Sequence, residues 1–90
     1  ALAGFTKQLA LDYAEAGIQV FGIAPGAVKT AMTVADFEPG GLATWVASET
    51  PIKRWIEPEE VAEVSLFLAS EKASAMQGQI LTVDGGWSLK

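Results

Sequence analysis

Residues Gln19-Val20-Phe21-Gly22-Ile23-Ala24 are apolar at most positions, where a strand with one wet face would be apolar at every second one, and Pro25-Gly26 follows at once. A run with so little alternation suits a strand covered on both faces, as in a parallel sheet flanked by helices. Proline has a fixed φ and no N–H to give a neighbouring strand, so the run is expected to end there. Ligands of open α/β sheets bind just beyond the carboxyl ends of the strands. The next segment, Pro25-Gly26-Ala27-Val28-Lys29-Thr30, is therefore the first place to look for a ligand contact. Near the end of the sequence Ile80-Leu81-Thr82-Val83 reads as a second strand, with Asp84-Gly85-Gly86 turning the chain off the sheet.

Helical periodicity surrounds these strands. Leu2, Phe5, Leu9 and Tyr13 recur at helical spacing beside a strip of Ala3, Ala10 and Ala14, which predicts an amphipathic helix over residues 2–16 with the larger residues on its core side. Gly17 can take the left-handed conformation that closes a helix, and Ile18 supplies the apolar residue that often follows. Pro58 at a first helical position, with Glu59 and Glu60 where the helix dipole favours negative charge, opens a second helix over residues 58–70 with Val61, Val64, Phe67 and Leu68 on its apolar face. Glu59 and Glu60 are adjacent and point in different directions, so they read as a solvated helix start rather than as a pair of catalytic carboxylates. Residues 31–50 mix Met32, Val34, Phe37, Leu42, Trp45 and Val46 with Pro39-Gly40-Gly41, and read as a lid or a self-packed surface loop containing short helical pieces. Strand, long crossover with a helix, strand is a βαβ unit, expected to be right-handed. The fold class is α/β, the C-terminal portion of a doubly wound parallel sheet of the Rossmann type, filling residues 1–90 as one partial domain.

Composition removes several classes of function. Six Lys and Arg against 11 Asp and Glu give a net charge of −5, and the basic residues are scattered. Nucleic-acid binding, which depends on clustered cations, is excluded, and so is attraction to an anionic membrane surface. No apolar run approaches the roughly 20 residues that span a bilayer, since residues 18–28 are broken by Gly22, Pro25 and Gly26. The chain has no Cys and no His, which argues against a disulfide framework or a metal and fits a reducing, cytoplasmic setting. A domain of this size buries only about 60–65% of its unfolded surface. Association is then the expected source of further stability, as a homo-oligomer, dimer or tetramer. The sequence does not begin with Met and shows no signal-peptide pattern, and it reads as part of something longer.

Several motifs, in order, give the chain a resemblance to the C-terminal part of short-chain dehydrogenases/reductases, closest in look to 3-oxoacyl-carrier-protein reductase-like members. Ala3-Gly4-Phe5-Thr6-Lys7-Gln8-Leu9-Ala10 looks like the helix after that family's Tyr-x-x-x-Lys motif, and Gly17-Ile18-Gln19-Val20 leads into its sixth strand. Pro25-Gly26-Ala27-Val28-Lys29-Thr30 matches the turn after that strand, Glu57-Pro58-Glu59-Glu60-Val61-Ala62 the helix before the last strand, and Val83-Asp84-Gly85-Gly86 the end of it. The resemblance implies NAD or NADP as cofactor and a small-molecule carbonyl or alcohol substrate. It also implies cofactor-binding roles for Pro25, Gly26, Val28 and Thr30. The Val28 backbone would bond the nicotinamide carboxamide, the Thr30 hydroxyl the carboxamide or a neighbouring phosphate, and Pro25-Gly26 would bring the chain close beneath the ring. The other reading of Thr30 is a hydroxyl that caps the following short helix, a role that can coexist with cofactor contact, and the cofactor role is favoured.

Departures accompany the likeness. Phe21 stands where Asn is common, Lys53 where Gly often precedes Arg54, and Gln77 where Thr is common before Gly78. The family's catalytic Tyr and Lys would lie upstream of Ala1, so no catalytic residue is assigned within the 90 residues. Tyr13 has Gly17, not Lys, four positions on and cannot take that role. The chain alone is therefore expected to be inactive, while the complete protein would interconvert a carbonyl and an alcohol. The alternative is an inactive interaction module pairing with a second copy through strand edges and apolar helix faces, with Trp55 and Trp87 as interface residues or, equally, as core. Met32, Phe37 and Trp45 would line an apolar lid over the substrate.

Overall fold

The computed structural model describes residues 2–90, and of Leu2 the backbone alone. The expectations resting on Ala1 and on the Leu2 side chain lie outside the described residues, so the periodicity expected from Leu2 onward is followed from Phe5. In chain order the elements are helix α1 (Leu2–Tyr13), strand β1 (Gly22–Pro25), a 3-10 helix at Ala31–Phe37, helix α2 (Ala43–Glu49), helix α3 (Pro58–Leu68), a 3-10 turn at Glu71–Ala73, strand β2 (Ile80–Val83) and a 3-10 turn at Trp87–Leu89. The two strands are neighbours in one sheet. The Gly22 N–H donates to Gln79 O at 2.9 Å and the Gly26 N–H to Val83 O at 2.9 Å. Partner numbers that rise together mean parallel strands, as the unalternating apolar run predicted.

The chain divides into two compact units, one of residues up to Ala24 together with Glu63–Leu81, the other of Pro25–Ala62 and Thr82–Lys90. In the first, Leu68, Ala73, Ala10 and Thr6 are buried. This corrects the expected orientation of α1: Phe5 and Tyr13 are exposed, and the buried stripe is Thr6 and Ala10, four residues apart. The reason is close approach. A Cβ on Gly78 would lie 3.2 Å from the Ala10 Cβ, and one on Gly22 would lie 3.7 Å from Thr6 Oγ1 and 3.4 Å from Ile80 Cγ1. A helix packed this tightly presents its small residues, and its bulky ones are turned away.

α1 ends at Tyr13, three residues before the expected residue 16, and the turn after it closes at Gly17 as the sequence indicates. Gly17 has φ 77°, and the Gly17 and Ile18 N–H groups donate to Ala14 O and Tyr13 O at 3.0 and 3.3 Å. These are the two bonds of a Schellman cap, and they satisfy carbonyls the helix leaves open. Gln77 adds a third tie, its Nε2 donating to Ala10 O at 2.7 Å and Ile18 O at 3.1 Å while its Oε1 accepts from the Val20 N–H at 3.2 Å. The departure at this position is thus a side chain that joins the last turn of α1 to the approach to β1. The strand begins at Gly22 rather than at the expected residue 19.

In the second unit Thr50, Ile56 and Trp55 are buried. Trp55 is core, its Nε1 donating to Ala43 O at 2.9 Å and its ring 4.8 Å from that of Phe37, so its reading as an interface residue does not hold. The lid segment contains the expected helical pieces. No helix among the described residues is long and apolar enough to cross a membrane.

Candidate functional site

β1 delivers Pro25 and Gly26 beside the end of β2. A Cβ on Gly26 would lie 2.8 Å from both Cα and Cβ of Asp84, so the position admits only glycine without backbone movement. Asp84 is itself held: its carboxylate accepts from the Gly86 and Ser88 N–H groups, each at 2.9 Å, and the Ser88 hydroxyl and amide, with the Gly86 amide, keep it below the usual carboxylate range. Gly85 and Gly86 turn the chain there with φ of 63° and 90°, as expected for Asp84-Gly85-Gly86.

Beyond Gly26 the chain makes a second, shorter parallel pairing, Val28 opposite Ile56. The Ile56 N–H donates to Ala27 O at 2.8 Å and the Lys29 N–H to Ile56 O at 2.9 Å. Both bonds come from the neighbours of Val28, so the N–H and C=O of Val28 point the other way. The carbonyl accepts from Thr33 Oγ1 at 3.1 Å, and among the described residues the Val28 N–H has no hydrogen-bond partner. A backbone donor left open at the carboxyl end of a parallel sheet is available to a ligand.

Thr30 lies two residues on, exposed and extended at φ −136° and ψ 174°, and opens the Ala31–Phe37 helix. Its N–H donates to Thr33 Oγ1 at 2.9 Å. Lys29, Thr30, Ala31, Val34, Phe37 and Pro58 line an open groove of about 540 Å³ whose wall is mostly apolar. Met32 and Trp45, expected beside Phe37 as lid residues, are not among its lining. Met32 is 95% exposed, and Trp45 packs edge-on to Trp87 with ring centroids 6.5 Å apart. Lys29 Nζ is 3.2 Å from the Glu57 carboxylate and 5.7 Å from the centre of the Phe37 ring, which ties it to the groove wall.

α3 begins beside the same loop, and sequence reasoning understated Glu60. Its carboxylate accepts from Arg54 at 2.6 and 3.0 Å and from the Glu57 N–H at 3.0 Å, which makes it half of a capping box as well as a bidentate partner. The Arg54 bond, foremost, and the Glu57 amide lower its pKa to about 2. The available signal was a Glu at the third helical position after Glu57-Pro58. Thr33 was also missed, and its signal was a hydroxyl three residues after Thr30. The site thus gathers Gly26, Val28 and Thr30 on one stretch of chain, pinned on one side by Asp84 and on the other by Ile56.

Residues 1–88 match the family model described as enoyl-(acyl carrier protein) reductase. The uncharacterized oxidoreductase YmfI of Bacillus subtilis strain 168 is 48% identical over 83 residues, 92% of this chain and 34% of its own length. A gluconate 5-dehydrogenase from Burkholderia cenocepacia J2315, solved in complex with NADP and tartrate, is 33% identical and superposes with a TM-score of 0.88 over 100% of this chain and 35% of its own. A 4-hydroxyisoleucine dehydrogenase complexed with NADH is 29% identical, with a TM-score of 0.92 over 99% of this chain and 37% of its own. The chain thus spans about a third of the length of the proteins it matches.

Proposed function

The chain belongs to the short-chain dehydrogenase/reductase family, and from that premise we propose that residues 25–30 form the wall beside the nicotinamide end of NAD or NADP in a protein that interconverts a carbonyl and an alcohol. One observation carries the assignment: the Val28 N–H is open while both neighbouring residues are bonded to Ile56. That amide donates to the carboxamide oxygen, and the Val28 carbonyl, which has two lone pairs and one partner, can also accept from the carboxamide nitrogen. The Thr30 hydroxyl bonds the carboxamide or the adjoining phosphate, and Pro25 with Gly26 fixes the turn that brings both residues to the sheet edge. The cofactor, when bound, supplies or takes up the hydride. The residues here orient its ring and cover one side of it.

The family resemblance puts the proton donor outside these 90 residues, so the chain alone is expected not to turn over substrate. The substrate is a small carbonyl compound or alcohol. The apolar groove wall of Ala31, Val34, Phe37 and Pro58 supports an acyl chain, as in a 3-oxoacyl thioester, over a polyhydroxylated acid. Association into a homo-oligomer is supported by Phe5, Leu11 and Leu66, 61%, 75% and 71% exposed within the first unit.

The test is fluorescence titration of NADH and NADPH into a protein carrying this chain with its upstream portion. Thr30→Ala is expected to weaken binding of the preferred cofactor by roughly 5–10-fold, the equivalent of one hydrogen bond. Unchanged affinity would overturn the role of Thr30. Turnover by the purified 90-residue chain would overturn its inactivity, and a substrate panel in which keto-acids of sugars outpace 3-oxoacyl thioesters would overturn the acyl reading.

A further inference from the structure

We infer that Thr33 is a positioning residue for the cofactor wall, a clamp that holds the backbone of Val28 and Thr30 in their ligand-ready geometry without itself touching the ligand. The inference rests on the reading of residues 25–30 given above. A threonine hydroxyl has one proton and two lone pairs. Here the oxygen accepts from the Thr30 N–H at 2.9 Å, and its one proton can be donated to either of two carbonyls within reach, Val28 O at 3.1 Å and Thr30 O at 3.0 Å. One side chain therefore grips both ends of the three-residue segment Val28-Lys29-Thr30. The Thr33 N–H also donates to Thr30 O at 3.1 Å, which seats the hydroxyl on the first turn of the 3-10 helix.

The other side of the segment is held differently. Ile56 bonds Ala27 O and the Lys29 N–H, which holds each of the two planar peptide groups that flank Val28 by one edge but does not touch the Lys29–Thr30 peptide group. Thr33 adds a second bond to the Val28–Lys29 group through the Val28 carbonyl and holds the Lys29–Thr30 group through the Thr30 N–H. A valine at position 33 would keep the shape and the β-branched stiffness while releasing the Val28 carbonyl and the Thr30 amide to water. The Val28 carbonyl and the Thr30 backbone then have more freedom, and ordering them falls on ligand binding.

The experiment compares wild type, Thr33→Val and Thr33→Ser in the protein carrying the upstream portion. Each is titrated with its preferred reduced cofactor and with ADP-ribose or its 2′-phosphate, which lack the nicotinamide. The clamp predicts that Thr33→Val weakens the whole cofactor about 5–10-fold, weakens the nicotinamide-free fragment by a smaller factor, and is rescued by Thr33→Ser. Equal weakening of both ligands would mean general loss of structure and would overturn the positioning role. So would unchanged binding by Thr33→Val, or failure of Thr33→Ser to restore it. If the valine variant does not fold, Thr33→Ala is read against the same serine control. Thr30→Ala, run alongside, separates the two claims. If it weakens the cofactor and Thr33→Val does not, the site stands and the clamp falls; if neither weakens it, the site reading itself fails.

Discussion

Lys53 is the one non-glycine residue with positive φ among the described residues, at 62°. In an L-residue the left-handed conformation costs roughly 1–2 kcal/mol, because Cβ crowds the following carbonyl. The turn enforces it: the Lys53 N–H donates to Thr50 O at 2.8 Å, and Thr50 is buried with its hydroxyl on Val46 O at 2.7 Å. Lys53 Nζ also reaches Ser48 O at 2.7 Å, an exposed contact that could hide the backbone effect in a simple Lys53→Gly comparison. Lys53→Ala and Lys53→Gly both remove that contact, so the difference between them isolates the backbone. Glycine relieves the crowding but loses about 0.5–1 kcal/mol more chain entropy on folding, which leaves Lys53→Gly more stable than Lys53→Ala by about 0.5–1 kcal/mol. Urea unfolding of the two variants in the longer protein, at matched m-values, measures this directly. Equal stability, or a more stable alanine variant, would refute the claim that position 53 is strained.

Other substitutions test other joints. Gln77→Ala removes bonds to Ala10 O, Ile18 O and the Val20 N–H and should cost about 1–3 kcal/mol in thermal unfolding, with the Gln77→Thr variant no better. Gly26→Ala drives a methyl to 2.8 Å from Asp84 and should cost about 1–3 kcal/mol, with weaker cofactor binding by the folded fraction. Glu60 has a folded pKa of about 2 against an ordinary 4.5, so its contribution is fully present above pH 4.5 and is lost as the pH falls toward 2. Stability measured across that window should fall less steeply in Glu60→Gln than in wild type, and parallel slopes would contradict the assignment.

What the sequence revealed followed from local rules. The Gly17 cap, the start of α3 at Pro58, the glycine turn after Asp84 and the parallel pairing of β1 with β2 each depend on a few adjacent residues or on one hydrophobic run. The buried face of α1 did not, because Phe5 and Tyr13 outweigh Thr6 and Ala10 in any count of hydrophobicity, while the structure selects the residues small enough to meet Gly22 and Gly78. β1 begins three residues late for a similar reason. The Val20 N–H is taken by a side chain, Gln77, 57 residues away, which periodicity cannot register. In the site, Pro25, Gly26, Val28 and Thr30 could be picked out as candidates from the turn and the resemblance. The open amide at Val28 could not, since it depends on which side of the chain Ile56 occupies.

The central claim is that the outward-facing peptide edge at Val28 receives the nicotinamide carboxamide. A crystal structure of the longer protein with its preferred cofactor bound measures this most directly. The account predicts a carboxamide oxygen within about 2.7–3.2 Å of the Val28 nitrogen, with Thr33 still bonded to the Val28 carbonyl. A nicotinamide seated elsewhere, with the Val28 N–H still unpaired or bonded only to water, would contradict it.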